Sequence, residues 1–355
     1  MMEDYVVLGR VGEGAHGIVM KGRHKESGQT VALKKIPLKR IEDGIGEATI
    51  REIKALQQLE SVHVVRYCIT LTTLSHSNQT VSRLYDVFPQ GLGFVLVFEF
   101  MVSDLSEVIK DSRTPLSVPE IKSYMLMLLK GVTHLHHNKI MHRDLKPANL
   151  LISAEGRLKI ADFGLSRLSE GGEGRQYSHQ VATRWYRAPE LLYGSRSYTE
   201  GVDLWAVGCV FGELLNNCPL FPGENDIDQL GIVIRNLGSP AEKTWPGVSS
   251  LPDYSKITFP DCQGVSYEDM VPEASASAVN LVSKFVLYDS DKRLSAKEAQ
   301  RHYYFYEKPF PARLEEMSKP QEKKLNLRNK EYPTNIPFHK HFEKLLNIDL
   351  GHANK

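Results

Sequence analysis

The chain has 355 residues, 41% of them apolar and 25% charged, so it can bury a large core but exceeds the size one core ordinarily serves, and two lobes are expected. Its 44 basic and 43 acidic residues leave a formal net charge of +1, which excludes a bulk electrostatic drive toward nucleic acid or an anionic membrane. The cysteines, Cys68, Cys209, Cys218 and Cys262, are scattered with no C-x-x-C pair, a pattern of isolated thiols in a reducing compartment and not of a disulfide framework or zinc site.

Met1-Met2-Glu3-Asp4 is acidic and lacks the charged and apolar regions of an export signal, so secretion is not expected, and Asn78-Gln79-Thr80 reads as a chance sequon. Over residues 5–38 apolar residues alternate and β-branched residues recur around a Gly-rich turn at 12–17 and a Ser-Gly turn at 27–28, which predicts three antiparallel strands. Residues 46–60 then place Ile50, Ile53, Leu56 and Leu59 on one side of a helix that carries Glu52. Strand character returns at 84–88 and 93–101. Val64-Val65-Arg66 would join directly to Leu84-Tyr85-Asp86-Val87-Phe88, yet the seventeen residues 67–83, rich in Thr and Ser, intervene. They read either as a loop insertion beside the Glu52 helix or as retained intron-derived sequence.

The pattern changes near residue 102, with helices predicted at 105–111, 117–138, 187–192, 200–216, 225–237, 274–287 and 295–301, and an irregular Pro-containing stretch up to 273. The apolar run 204–215 is too short to span a membrane and reads as a buried helix. An α+β organisation follows: a β-rich lobe over 1–101, a helical lobe over 102–308 and a polar tail over 309–355, in which Phe338, Phe342, Leu345 and Leu346 form one short apolar group.

Two motifs set out phosphoryl-transfer chemistry. Residues 142–149 read H-R-D-L-K-P-A-N, and Asp162-Phe163-Gly164 follows after a short strand-like run. Asp144 is the candidate base for a Ser or Thr hydroxyl, Lys146 a clamp on the γ-phosphate, and Asn149 with Asp162 the magnesium ligands. Gly12-Glu13-Gly14-Ala15-His16-Gly17-Ile18-Val19 fits G-x-G-x-x-G-x-V, in which glycines let backbone amides approach triphosphate oxygens. A plain turn would explain that motif by itself, but a further strand leads to Val31-Ala32-Leu33-Lys34, where a dinucleotide fold would place a helix. Lys34 is the candidate ammonium for the α- and β-phosphates, paired with Glu52, while Lys35 points to the other side of the strand. Glu190 is expected to pair with Arg293, Asp203 to accept backbone hydrogen bonds from the catalytic loop, and His142 to pack with Phe163 in a column with Leu56 and Leu84. His134, His136, His137 and His142 cluster at a predicted helix end without completing a metal set.

These motifs span residues 5–306 and resemble the eukaryotic protein kinase fold. Val181-Ala182-Thr183-Arg184-Trp185-Tyr186-Arg187 is similar to the cyclin-dependent and mitogen-activated kinases, and the absence of Thr-x-Tyr around Ser178 places the resemblance with the cyclin-dependent kinase family. That resemblance implies a Ser/Thr kinase using ATP and Mg2+, with Arg187 shaping a pocket for proline after the phosphorylated residue. The implied partners are a cyclin or other activator and protein substrates, other kinases among them, in cell-cycle or ciliary control, with a cytoplasmic, nuclear or ciliary location. It also implies adenine contacts from Ala32 and Leu151 and from the backbone of Glu99 and Met101, with Phe98 closing the rear and Val11 among the ATP-binding residues. Ser178 falls at the family's activating phosphosite, where a phosphate of about −1.5 to −2 charge would be gathered by Arg51, Arg143 and Arg167. The family's inhibitory Thr-Tyr pair is Ala15-His16 here, so that control is expected to be absent, and the cyclin-facing helix begins Gly46-Glu47 in place of Pro-Ser. A nucleotide-binding scaffold disabled by residues 67–83 is the alternative from another class; no catalytic residue is missing.

Overall fold

The computed structural model describes residues 2–14, 17–37, 52, 55, 86–90, 93–111, 113, 115–169 and 177–322. The insertion 67–83, Ala15, His16, Arg51, Leu56, Leu84 and the apolar group of the tail lie outside the described residues. The described residues fall into two compact units, divided between Phe100 and Met101, with Glu52 and Ala55 grouped with the second.

The first unit is a five-stranded antiparallel sheet ordered β1-β2-β3-β5-β4, built from β1 (Tyr5–Gly14), β2 (Gly17–His24), β3 (Thr30–Pro37), β4 (Asp86–Pro89) and β5 (Gly93–Glu99). Because successive side chains point to opposite faces, Val31 and Leu33 join Tyr5, Phe88, Val95 and Val97 in one core, with Met2 and Met20 packed against it. Ala32 and Lys34 occupy the other face, where Lys34 stands in register with Val19 and Leu96. Gly17 has φ of +130°, and a Cβ there would collide with the main-chain oxygen of Lys35. At Gly12 a Cβ would meet nothing within 4 Å, so that side of the hairpin is open to close approach.

The second unit is helical. β6 (Ser103–Asp104) leads into α1 (Leu105–Lys110), which Asp104 caps by accepting from the Glu107 amide at 3.1 Å. α2 (Val118–His137) begins with a capping box between Ser117 and Glu120. β7 (Ile140–Met141) and β10 (Arg167–Leu168) form one two-stranded ribbon, while β6, β8 (Leu150–Ile152) and β9 (Leu158–Ile160) form a small sheet. α3 (Gly201–Asn216) is apolar nearly all round and accordingly buried, packing on α2 and on α5 (Ala276–Phe285); α4 (Asp226–Leu237) lies between α3 and α5 in the chain. The predicted helices at 105–111, 117–138, 200–216 and 225–237 match these to within one or two residues at each end. A turn of helix at Tyr267–Met270 interrupts the stretch expected to be irregular.

Residues 309–322, the start of the polar tail, run against α2. The Ala312 amide donates to the Pro119 carbonyl at 3.0 Å, Ser123 Oγ to the Ala312 carbonyl at 2.7 Å and the Ser318 amide to Glu120 Oε1 at 2.9 Å. Burial pushes the pKa of Lys122 down, and its Nζ donates to the Glu307 carbonyl at 2.9 Å. The polar residues of α2 that periodicity alone would turn outward are the ones that hold this strap.

Glu190 and Arg293 form the expected pair, with Nη1–Oε1 of 2.7 Å and Nη2–Oε2 of 2.8 Å, the guanidinium side chain fully buried. Arg293 also donates to the carbonyls of Leu287, Tyr288 and Gly201, so every charge is matched but neither partner is dispensable. Arg293→Ala is expected to lower stability by about 3–5 kcal/mol, because it strands a buried carboxylate; a urea-unfolding midpoint unchanged from wild type would refute this.

Candidate active site

The catalytic loop is organised by Asp203, in the first turn of α3. The carboxylate accepts from the amides of His142 and Arg143 at 2.8 Å each, and from His136 Nε2 at 3.0 Å. Burial by itself raises the Asp203 pKa, but the hydrogen bond and charge of His136, with the Arg143 amide, outweigh it and hold the carboxyl below its ordinary 3.8. These bonds hold Arg143 at φ of +67°, a left-handed conformation that a non-glycine residue adopts only under constraint. His142 follows: the Asp144 amide donates to its Nδ1 at 3.2 Å, so Nε2 carries the proton and donates to the Ala161 carbonyl at 3.0 Å. Its ring meets Phe163 edge-on at 5.0 Å between centroids, the described half of the predicted column.

Asp144, thus placed, receives four side-chain or backbone donors. Thr183 gives its amide and hydroxyl to Oδ1 at 2.8 and 3.0 Å; Lys146 Nζ and Asn149 Nδ2 reach Oδ2 at 2.8 and 3.0 Å. Lys146 also donates to Thr183 Oγ1 at 2.6 Å. Asn149 sits in a single 3-10 turn, Pro147–Asn149, and gives a second Nδ2 bond to the Asp144 carbonyl at 2.8 Å. Both amide hydrogens are thereby committed, which leaves the side-chain carbonyl oxygen as the acceptor. The Ala161 amide donates to the Asn149 carbonyl at 2.9 Å, bringing Asp162 beside it, with Asp162 at φ of +64°. Asn149 and Asp162 both offer hard oxygen donors, which suit a magnesium ion and not a softer metal.

The predicted nucleotide residues divide between the units. Val11, Gly12, Glu13 and Gly14 end β1, Gly17, Ile18 and Val19 begin β2, Ala32 and Lys34 lie on β3, and Glu99 ends β5. Glu52 is helical and buried, Met101 is buried, and Leu151 lies in β8 opposite Asp104 and Lys159. Arg143 and Arg167 belong to the second unit, as does exposed Ser178, whereas Arg51 lies outside the described residues.

Beyond Asp144 the chain turns through Ala182, at φ of +65°, whose carbonyl accepts from Arg187 Nη2 at 3.0 Å while that of Val181 accepts from Nε at 2.9 Å. Residues 5–305 match the family described as Protein kinase domain. Cyclin-dependent kinase 20 of Danio rerio is 59% identical over 320 residues, covering 90% of this chain and 88% of that one, and Cyclin-dependent kinase 20 of Homo sapiens is 53% identical with the same coverage. The chain belongs to the cyclin-dependent kinase family. It is a Ser/Thr protein kinase, and its resemblance within the family is to the cell-cycle-related kinase. A solved chain of the CAK complex from Chaetomium thermophilum bound to ATP-gamma-S is similar with a TM-score of 0.78 at 33% identity, covering 90% of this chain and 96% of that one. The fold is the expected α+β arrangement of a small β-rich lobe and a larger helical lobe, and the family uses ATP.

Sequence reasoning missed Thr183 and His136 as members of this kinase's site. Tyr186 donates to Glu213 Oε2 at 2.6 Å in the core of the helical lobe, where burial raises the pKa of both groups. The motif run 181–187 pointed at the segment without pointing at Thr183. Asp203→Asn puts an amide where three donors converge, and is expected to cost about 2–4 kcal/mol and at least about tenfold in kcat. Since the folded carboxyl titrates below 3.8, the wild-type contribution is complete above that pH and is lost as the pH falls through the lower folded value. Thermal unfolding of both proteins as a function of pH, alongside phosphate transfer, measures this; a difference that vanished at pH 6 would contradict it.

Proposed function

We propose that this kinase is proline-directed and transfers the γ-phosphoryl of Mg-ATP to Ser/Thr-Pro sites of other protein kinases, in cell-cycle or ciliary control and with a cyclin as activator. The observation that carries the proline preference is Arg187. A residue following the phosphoacceptor would ordinarily offer its amide to a nearby carbonyl, but the carbonyls of Val181 and Ala182 are already taken by the Arg187 guanidinium. Proline has no amide hydrogen to leave unpaired, so it alone loses nothing there. Asp226 fixes the guanidinium from the other side, with Oδ2–Nη1 of 3.0 Å, and also accepts from Arg184 Nε at 2.9 Å. Burial raises the Asp226 pKa, and the two arginines more than reverse this.

Asp144 orients the substrate hydroxyl and takes its proton, and Lys146, 2.8 Å from Asp144, moves its charge onto the γ-phosphate. Asn149 and Asp162 hold magnesium, which when bound neutralises charge developing on the transferred group. The glycine hairpin with Lys34 and Glu52 holds the triphosphate, and phosphorylation of Ser178, drawn to Arg51, Arg143 and Arg167, activates the enzyme. Similarity to a chain of the CAK complex, an assembly, and to relatives named cyclin-dependent kinases supports a cyclin-type activator and kinase substrates.

Asp144→Asn should abolish transfer of labelled phosphate to a Ser-Pro peptide while ATP binding persists. Arg187→Ala should lower the ratio of kcat/KM for Ser-Pro over Ser-Ala peptides by roughly tenfold, the worth of one carbonyl freed for a substrate amide. An unchanged ratio would remove the basis for proline direction, and full activity in Asp144→Asn would remove the catalytic assignment.

A further inference from the structure

Arg143 is buried, only 4% exposed, and among the described residues no carboxylate forms an ion pair with it. Its Nε donates to the Leu165 carbonyl at 2.8 Å and its Nη1 to the Tyr198 hydroxyl at 2.7 Å, and the Tyr177 ring covers it at 5.9 Å from the guanidinium carbon. A buried cation held by neutral oxygens and an aromatic face is a seat for an anion that has not yet arrived.

The Tyr198 hydroxyl is the piece that links this cation to the loop. It accepts from Arg143 and donates to the Ser178 carbonyl at 2.6 Å, so both its hydrogen-bonding roles are used. Burial raises its pKa, with Arg143 opposing, and a proton kept on the oxygen is what the bond to Ser178 requires. The segment 177–183 is tied at Tyr177, whose amide donates to the Arg196 carbonyl at 2.7 Å and whose hydroxyl donates to the Leu168 carbonyl at 3.1 Å, at Ser178 by Tyr198, at Val181 and Ala182 by Arg187, and at Thr183 by Asp144. Two of these ties reach the catalytic loop: Thr183 directly at Asp144, and Ser178 through Tyr198 to Arg143, whose amide is held by Asp203.

We propose that Tyr198 is a positioning residue of this kinase, its hydroxyl acting as the neutral predecessor of a phosphate on Ser178: it seats the Arg143 guanidinium and ties the loop down before phosphorylation, and the phosphate then takes over both tasks. This rests on the kinase reading above and deepens its regulation. A doubly charged acceptor bonds a guanidinium more strongly than a phenol does, and phosphate on Ser178 arises one side chain away from the Tyr198 contact, so the exchange needs only local movement. The unphosphorylated chain accordingly keeps a basal activity that depends on Tyr198, and the phosphorylated chain does not depend on it.

The test uses the full chain, wild type and Tyr198→Phe, each made with serine or with phosphoserine at position 178, read by steady-state transfer to a Ser-Pro peptide and by amide hydrogen exchange over 177–183. Without phosphate, Tyr198→Phe should have about tenfold lower kcat, the scale of one buried hydrogen bond left unmade, with the KM for ATP within about twofold, and its 178–182 amides should exchange about tenfold faster. With phosphoserine the two proteins should agree within about twofold in both readouts. Equal behaviour without phosphate, or a deficit of the same size with it, overturns the proposal, the second result marking a purely structural tyrosine. If no version transfers phosphate, the activator proposed above is required for turnover, and the exchange comparison by itself decides for or against Tyr198. Should Tyr198→Phe not fold, Tyr198→Gln, which keeps a donor and an acceptor, against Tyr198→Leu, which keeps neither, makes the same comparison.

Discussion

The buried carboxylate of Asp203 is the constraint from which the rest of the site is built. A charge with 1% of its residue surface exposed persists only if its lone pairs are filled, and here they are filled by two consecutive backbone amides and one imidazole. Consecutive amides pointing at one acceptor require a sharp turn of the chain, and the turn appears as the left-handed Arg143. Everything downstream, from the tautomer of His142 to the direction of the Asp144 side chain, inherits its position from that turn. The residue does no chemistry, yet it decides where chemistry can occur.

The surroundings of Asp144 say how a substrate must enter. A carboxylate offers about four lone-pair sites, and Thr183, Lys146 and Asn149 fill all four. For Asp144 to accept a hydroxyl proton one donor has to give way. Asn149 is anchored by a second bond to the Asp144 carbonyl and the Thr183 amide is part of the backbone, which leaves Lys146 and the Thr183 hydroxyl, themselves joined at 2.6 Å, as the movable pair. A γ-phosphate that draws Lys146 away from Asp144 would open the place for the hydroxyl, so that nucleotide and substrate assist each other with a single side-chain movement.

Residues that act through their immediate neighbours in the chain were legible in the sequence. H-R-D-L-K-P-A-N and D-F-G carry Asp144, Lys146, Asn149 and Asp162 within short spacings, and the alternation of β3 fixed that Lys34 and Ala32 share a face opposite Val31 and Leu33. The Asp203 clamp and the Glu190–Arg293 pair were legible too, because a lone carboxylate in an apolar helix must find donors. Thr183, Tyr198 and His136 were not. Their partners lie 39, 55 and 67 residues away, distances at which no periodicity speaks. The strands β6 to β10 are two or three residues long, too short to show an alternation, and the strap 309–322 is polar because its bonds run to polar residues on α2. What the sequence hid is consistently the second partner of a long-range polar contact.

Among the described residues, five non-glycine positions in the helical lobe stand at positive φ, Lys139, Arg143, Asp162, Ala182 and Asn217, and three of them, Arg143, Asp162 and Ala182, belong to the candidate site. Such conformations cost on the order of 1–3 kcal/mol each and last only when surrounding groups over-determine them. Arg143 is over-determined by Asp203 at its amide and by Leu165 and Tyr198 at its side chain, and Ala182 by Arg187 at its carbonyl and by the Thr183–Asp144 bonds that follow. At these two residues the strain is therefore located where side chains from remote parts of the chain take over the backbone's hydrogen bonds.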